Sequence, residues 1–398
     1  MRRLSGLFLL CLGVAIALGG AERRVITPAG SAKPVGPYSP GIEVGDYLYV
    51  SGQGARDSAG RMPATFEEQT RLALNNVKQI VEGAGLTLQH IVYAQVYLTD
   101  MSQYAIMDRL WNESFPKAPP ARAVLGVQRM PVDTPVEINA VAVRNLSSKK
   151  NIAHGAVLTH DRLYIPGCFG LDRTSGKVPG DPAAEVQAAL DGMKRVLESA
   201  GLDFRHVVFV NPYLTRDLPM DVMNRAYAGR FEFGNTPARA TIEVASLPLG
   251  ARIKFTGVAV RDLALRRAVR PKNMPPSPTA SPCVFAGDTL FCSAKSAFIP
   301  GPNSGIFAAG VAHQVRMSMR NLLDGLEEAG MDLSNVVSTN VYLDDINDFA
   351  DMNGIYGLYF KGAPPTRTTV QPKASVERKR DAQGRAPKLE EISLVAVK

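Results

Sequence analysis

Cysteine and histidine are both scarce in this chain of 398 residues, four of the first and five of the second. Four cysteines exclude a small disulfide scaffold, and five histidines speak against a multi-histidine metal site. Charged residues make up only 21% against 45% hydrophobic. That ordinary globular mix excludes a disordered, collagen-like or polytopic membrane protein. No carboxylate pairs in a metal pattern, no nucleotide loop and no Ser-His-Asp arrangement are visible, so neither metal nor cofactor is expected. Glycine (35) and proline (28) are comparatively abundant, which points to many tight turns and hence to strands. The net charge is +8, so an anionic partner has to be considered.

The one long apolar run stands at the start. Arg2 and Arg3 precede an unbroken stretch from Leu7 to Leu18, and Gly19-Gly20-Ala21 follows. This is the pattern of a secretory signal peptide over residues 1–21, too short for a comfortable membrane span. An uncleaved N-terminal anchor is the alternative. Cleavage after Ala21 leaves 43 basic against 37 acidic residues. The expectation is an exported protein, periplasmic or secreted, with no membrane attachment after processing.

The rest is one unit written three times. AGLTLQHIVYAQVYLTDM begins at Ala84, AGLDFRHVVFVNPYLTRDL at Ala200 and AGMDLSNVVSTNVYLDDI at Ala329. PPAR, TPAR and PPTR end at Arg122, Arg239 and Arg367. NAVAVR, TGVAVR and SLVAVK carry Val143, Val260 and Val397. The first period is 116 or 117 residues and the second 128 to 137. The excess falls in a basic stretch, Leu263–Pro276, and a charged insert, Val376–Lys388, both read as solvated loops. Such a period exceeds that of a solenoid repeat, and each unit is large enough for its own core. Three tandem domains are therefore expected at 24–146, 147–262 and 263–398.

Each unit reads alike. A hairpin opens it, around Gly45-Asp46 and Gly287-Asp288, with a weaker turn at His160-Asp161 in unit two. An amphipathic helix follows, its stripe carried by Leu72, Val77, Ile80 and Val81 in unit one, and Gly85, Gly201 and Gly330 stand where it should end. A strand (Val92–Leu98, Val207–Leu214, Val336–Leu343), a second helix and two further strands complete an α+β unit, a mixed sheet with two helices on one face. In the third hairpin, counting outward from Gly287-Asp288 sets Cys283 opposite Cys292 in a non-hydrogen-bonded pair. A disulfide between them is expected, against the alternative of two small apolar thiols packed in the core, and Cys168 stays free.

The segments GPYSPGIEVGDYLYVSGQ, NNVKQIVEGAGL, VYLTDM, PPARAVLGVQRMP and VEINAVAV, in this order, resemble the RidA family, also called YjgF or endoribonuclease L-PSP. Units two and three match with more drift. The resemblance implies a chorismate-mutase-like fold and a trimer with inward-facing sheets and ligand clefts between neighbours. Three units in one chain then form a monomeric pseudo-trimer, the alternative being units that trimerise separately with other chains. It also implies hydrolysis of 2-imino or enamine acids to 2-keto acids and ammonia. An arginine of the P-A-R motif holds the carboxylate, which suits its planar fork, and a glutamate of the last strand activates water.

Carried over, the arginine falls on Arg122, Arg239 and Arg367. The tyrosine of G-P-Y matches Tyr38 alone; Ala153 or its neighbour and Ala280 stand in the other units. Ser51, Gly52 and Gln53 match S-G-Q, against Pro166-Gly167-Cys168 and Ser293-Ala294-Lys295. A cysteine common two residues after the arginine is replaced by Val124, Thr241 and Thr369. The glutamate position falls on Asn139, Thr256 and Ser393, none of which can act as a carboxylate base. Glu137 and Glu391 lie two residues earlier on the same strand face; they reach the position only if the strand is bent or shifted, and unit two has Lys254 there. Unequal pockets follow, with that of Tyr38 binding best. The readings are an imine or enamine deaminase, a non-catalytic module for small carboxylates, and a nuclease. Arg266, Arg267, Arg270, Lys272 and Arg378-Lys379-Arg380 favour the last, but charge runs in inserts read as solvated loops, which speaks against a nucleic-acid partner.

Overall fold

The structure is a computed structural model that describes residues 22–272, 274–299 and 306–398. The candidate signal peptide, residues 1–21, lies outside the described residues. Unit one forms a sheet in the order Arg23–Ile26, Gly41–Val44, Tyr47–Gly54, Val136–Val143, Ile91–Leu98, Ala121–Gly126. Every pairing is antiparallel except the last, which is parallel. Unit three repeats it with Arg266–Val269, Cys283–Ala286, Thr289–Lys295, Glu390–Val397, Val336–Leu343 and Thr366–Val370. Unit two has shorter outer strands, and the one carrying its arginine is split into Ala238–Arg239 and Ile242–Glu243. The fold is thus three tandem α+β units, each a mixed sheet with two helices.

The hairpin turns lie where glycine permits a positive φ, +56° at Gly45 and +65° at Gly287. In the third, Cys283 pairs with Cys292 and the two are joined by a disulfide. The long helices are α1 (Phe66–Gly83), α3 (Pro182–Ser199) and α5 (Val311–Glu328). The first is capped by Thr65 and Glu68 in a capping box, the second by Asp181 before Pro182. The shorter α2 (Tyr104–Ser114), α4 (Met220–Ala228) and α6 (Phe349–Tyr356) supply Met107, Met223 and Met352 to the three cores. His90 and His206 are local caps, their Nδ1 atoms taking the N–H of Thr87 and Asp203.

Each sheet buries one face under its helices, and the other faces meet. Tyr49, Val92 and Val143 of unit one, Tyr164 and Val258 of unit two, and Phe291 and Val337 of unit three share one core. A second shared core gathers Tyr97, Tyr213 and Tyr342, one from each unit. Strand ends also join: the N–H of Gly126 donates to Ser246 O (2.9 Å) and that of Gln371 to Arg129 O (2.9 Å). The units form a closed pseudo-threefold ring.

One stretch departs from its sequence reading. Within Leu263–Pro276, Arg266–Val269 is the edge strand of the third sheet rather than a solvated loop. Its alternation decides this: Val269 enters the core, while Arg266 reaches across to unit two and donates to Val207 O (3.0 Å) and Asn235 Oδ1 (2.5 Å).

Candidate functional site

Each arginine strand ends at a cleft against the neighbouring unit. Arg367 of unit three meets unit one, Arg122 of unit one meets unit two, and Arg239 of unit two meets unit three. The three clefts differ.

At the first, unit one contributes the segment Ala32–Tyr38, the end of strand Tyr47–Gly54 and Glu137, and unit three contributes Phe349, Arg367 and Thr369. They enclose a cavity of about 380 Å³. Arg367 is 3% exposed. Its guanidinium stacks against Tyr356 (4.9 Å), Tyr38 (5.2 Å) and Phe349 (5.5 Å). Its backbone N–H donates to Ser51 Oγ (2.9 Å), and that hydroxyl donates to Ser39 O (2.6 Å). Nη2 is buried without a hydrogen-bond partner, as are Asn353 Oδ1 and Thr369 Oγ1. A Cβ on Gly36 would come within 2.5 Å of Nη2, so the glycine of G-P-Y leaves the room that the guanidinium needs. Burial pulls the arginine pKa down, with Tyr356, Tyr38 and Glu137 opposing. A buried cation without a bound anion is costly, so the site is disposed to take one.

Glu137 faces the same cavity. Strand Tyr47–Gly54 bulges between Val50 and Gln53 where it pairs with Val136–Val143. The bulge sets Gly52 over Glu137 so closely that any Cβ there would overlap the carboxyl oxygen. Burial pushes the Glu137 carboxyl up to about 8, while Arg367 pulls the other way. An acid tuned near neutrality beside a buried arginine can exchange a proton with a molecule in the cavity.

At the Arg122 cleft the charged groups have partners within the protein. Arg122 is paired with Asp108 and lies 4.9 Å over Trp111. Lys254 takes the place of Glu137: it is 1% exposed, donates Nζ to Val124 O (2.5 Å) and lies 4.4 Å over Phe169. Its carbons pack so near Gly167 that a Cβ there would come within 2.9 Å. Burial holds the Lys254 pKa well below the usual lysine value, and Arg122 adds to this. The free thiol of Cys168 nearby is pushed up to about 12 by burial, which leaves it a poor nucleophile.

The Arg239 cleft is intermediate. Its backbone N–H donates to Ser293 Oγ (2.8 Å), and Ser293 donates to Ser281 O (2.6 Å), repeating the Ser51 arrangement. The guanidinium is tied to Asn224 Oδ1 (2.7 Å) over Tyr227. Ala294 stands where unit one has Gly52, and Glu391 is paired with Lys388 (2.8 Å).

Of the residues singled out from sequence, Arg367, Tyr38 and Gly52 come together at one cavity. Ser51 is 1% exposed and stands behind Arg367, holding its backbone. Arg122 and Arg239 sit in the other two clefts. Asn139, Thr256 and Ser393 are not brought to the arginines. They line a separate void of about 90 Å³ inside the barrel, where Asn139 donates to Gln95 and Thr368 (2.9 Å each) and Thr256 accepts from Tyr93 (3.2 Å). Two residues along a strand is about 6.6 Å, enough to separate the cleft position, Glu137, from the barrel position, Asn139. The bulge between Val50 and Gln53, seen only in the structure, is what brings Glu137 to the cleft.

Comparison with known proteins gives consistent matches. The Endoribonuclease L-PSP family profile matches residues 29–144, 145–261 and 273–379. A RutC family protein of Pyrococcus horikoshii, PH0854, is 36% identical over 124 residues, which is 31% of this chain and 98% of that protein. The Escherichia coli protein TdcF, named as a candidate reactive intermediate deaminase, is 33% identical over 127 residues, 31% of this chain and 98% of its own. Among solved structures, E. coli TdcF with bound serine aligns at 32% identity and a TM-score of 0.30, covering 31% of this chain and 99% of that one.

Proposed function

The chain belongs to the Endoribonuclease L-PSP family, also called RidA or YjgF, and from that premise we propose that it is an imine or enamine deaminase with one working cleft, that of Arg367 and Glu137. The observation that carries this is the buried, unpartnered Nη2 of Arg367 beside a carboxyl raised to about 8. The relative TdcF, named for deamination of reactive intermediates and solved with serine, supports a small amino-acid-like ligand.

In this reading Arg367 receives the carboxylate of a 2-imino acid and Tyr38 covers it. The ionised Glu137 takes a proton from water as the oxygen attacks the imine carbon and the C=N electron pair moves to nitrogen. Collapse of the tetrahedral carbinolamine forms the keto C=O and breaks the C–N bond. Glu137 gives the first proton to the nitrogen, then takes the hydroxyl proton as C=O forms and passes it to the same nitrogen as the C–N bond breaks, so both protons of water end on nitrogen and imine and water become 2-keto acid and ammonia. Asn139, Thr256 and Ser393 take no part in these steps.

Ammonia release from a freshly generated 2-imino acid tests it. Arg367→Ala should abolish release, while the Arg122→Ala/Arg239→Ala protein should retain it; release that survives Arg367→Ala overturns the proposal. Residues 1–21 support export, and the closed ring supports a monomeric pseudo-trimer once they are removed. Light scattering should then give the mass of one mature chain. The nuclease alternative loses support from the basic stretches, since Arg266 is spent on unit two and Arg378 on Asp348.

A further inference from the structure

Resting on the reading above, we propose that the Arg367 cleft selects dicarboxylic 2-oxo and 2-imino acids, the second carboxylate being received by Lys33 and Arg56 at its mouth. Pockets that enclose a whole drug-sized ligand run from roughly 300 to 1,000 Å³. At about 380 Å³ this cavity has room for more than a three-carbon acid held by Arg367.

Its charge points the same way. Five charged side chains line it: Lys33, Arg56, Asp57, Glu137 and Arg367. Asp57 is already engaged by Arg61 at 2.9 Å. Glu137, raised to about 8, is mostly uncharged at neutral pH. Among the described residues neither Lys33 nor Arg56 makes an ion pair. A monoanion on Arg367 therefore leaves two cations at the mouth uncompensated, and a dianion leaves one. Such a concentration of one sign in a concave site draws ligands of the opposite sign.

Arg56 is also held in place. Its Nη1 donates to Gly60 O (2.8 Å) and its Nη2 to Val132 O (2.6 Å). These carbonyls fix the guanidinium without neutralising it, and its Nε is buried with no partner. Val132, whose carbonyl it grips, has a φ of +54°. Leu249 of unit two repeats this left-handed turn at +65°, so the turn belongs to the repeat and the cation is what is particular to unit one. The other units lack this cation, since the aligned positions are Leu171 and Phe298.

Calorimetric titration of the full mature chain with two stable five-carbon acids tests the proposal. 2-Oxoglutarate carries the distal carboxylate and 2-oxovalerate does not. We expect 2-oxoglutarate to bind about tenfold more tightly at low salt, the gap narrowing as salt is added because the second contact is solvated. Lys33→Ala, at an exposed position, and Arg56→Gln should each weaken 2-oxoglutarate while leaving 2-oxovalerate within about twofold. Equal or tighter binding of 2-oxovalerate, or variants that weaken both acids alike, overturns the dicarboxylate assignment and leaves the carboxylate cleft standing. Failure of both acids to bind overturns the cleft reading and this one with it.

Discussion

The clefts of Arg367 and Arg122 are the same place in the fold. Both have an arginine on the outer parallel strand, aromatic rings beneath it and a glycine on the bulge of the facing unit. One has Glu137 across from the arginine and the other Lys254. The carboxyl leaves a cavity and an unsatisfied guanidinium. The amine fills the space with its own chain, bonds Val124 and leaves Arg122 to Asp108. The fold supplies a cleft and a cation at every junction, but the residue opposite decides whether anything else can enter. The Arg239 junction adds a subtler case: it keeps an acid, Glu391, yet has Ala294 in place of glycine, and the acid is paired with Lys388 instead.

The largest expected effect tests the residue that distinguishes the clefts. Glu137→Gln keeps the shape and removes the base, and should lower the deamination rate by about 100- to 10,000-fold. Wild-type activity should rise with pH through about 8 as Glu137 ionises and then level off, whereas the Gln protein should show no such rise. A rate profile that keeps its slope in Glu137→Gln removes Glu137 from the chemistry.

A smaller effect follows from making the working cleft resemble that of Arg239. Gly52→Ala puts a methyl where the Glu137 carboxyl lies and must displace it. Deamination should fall by about tenfold or more, the scale on which misplacement of a reacting group acts, with the thermal midpoint little changed. Unaltered kinetics would show that the carboxyl's position over the bulge is immaterial.

The last prediction concerns the Arg122 cleft and is read in stability. The pKa of Lys254 is depressed in the folded chain, so the unfolded chain binds more protons below the ordinary lysine value. Wild-type stability should therefore rise as pH climbs from 7 toward 10. Lys254→Met fills the same volume without the charge and should be more stable at pH 7 by about 1–3 kcal/mol, with a flatter pH dependence. Destabilisation in denaturant titrations would mean that the bond to Val124 outweighs the buried charge.

The repeat, its helices and the three arginines were legible because each rests on local pattern: periodicity, capping residues, a motif recurring at fixed spacing. Two things were not. One is the separation of Glu137 from Asn139, which strand alternation gives the same face although they line different cavities. Only the bulge opposite them tells the cleft end of that face from the barrel end. Nor does any local signal say which unit's arginine meets Tyr38. That depends on the direction in which the ring closes, a property of packing between units far apart in sequence. Arg266 is a related case, since a run of basic residues looks solvated until the neighbour it bonds is in view.

The ring has three junctions but only two linkers. Units one and two are continuous through residues 144–149, units two and three through residues 261–265, and nothing covalent spans the seam between unit three and unit one. The Arg367 cleft lies at that seam, with Tyr38 from unit one and Arg367 from unit three. The site cannot exist until units one and three have both folded and met. Once formed, it makes its ligand a clasp on the seam: a molecule bound across it opposes opening by an amount that grows with its concentration, about 2.7 kcal/mol at a hundred times its dissociation constant.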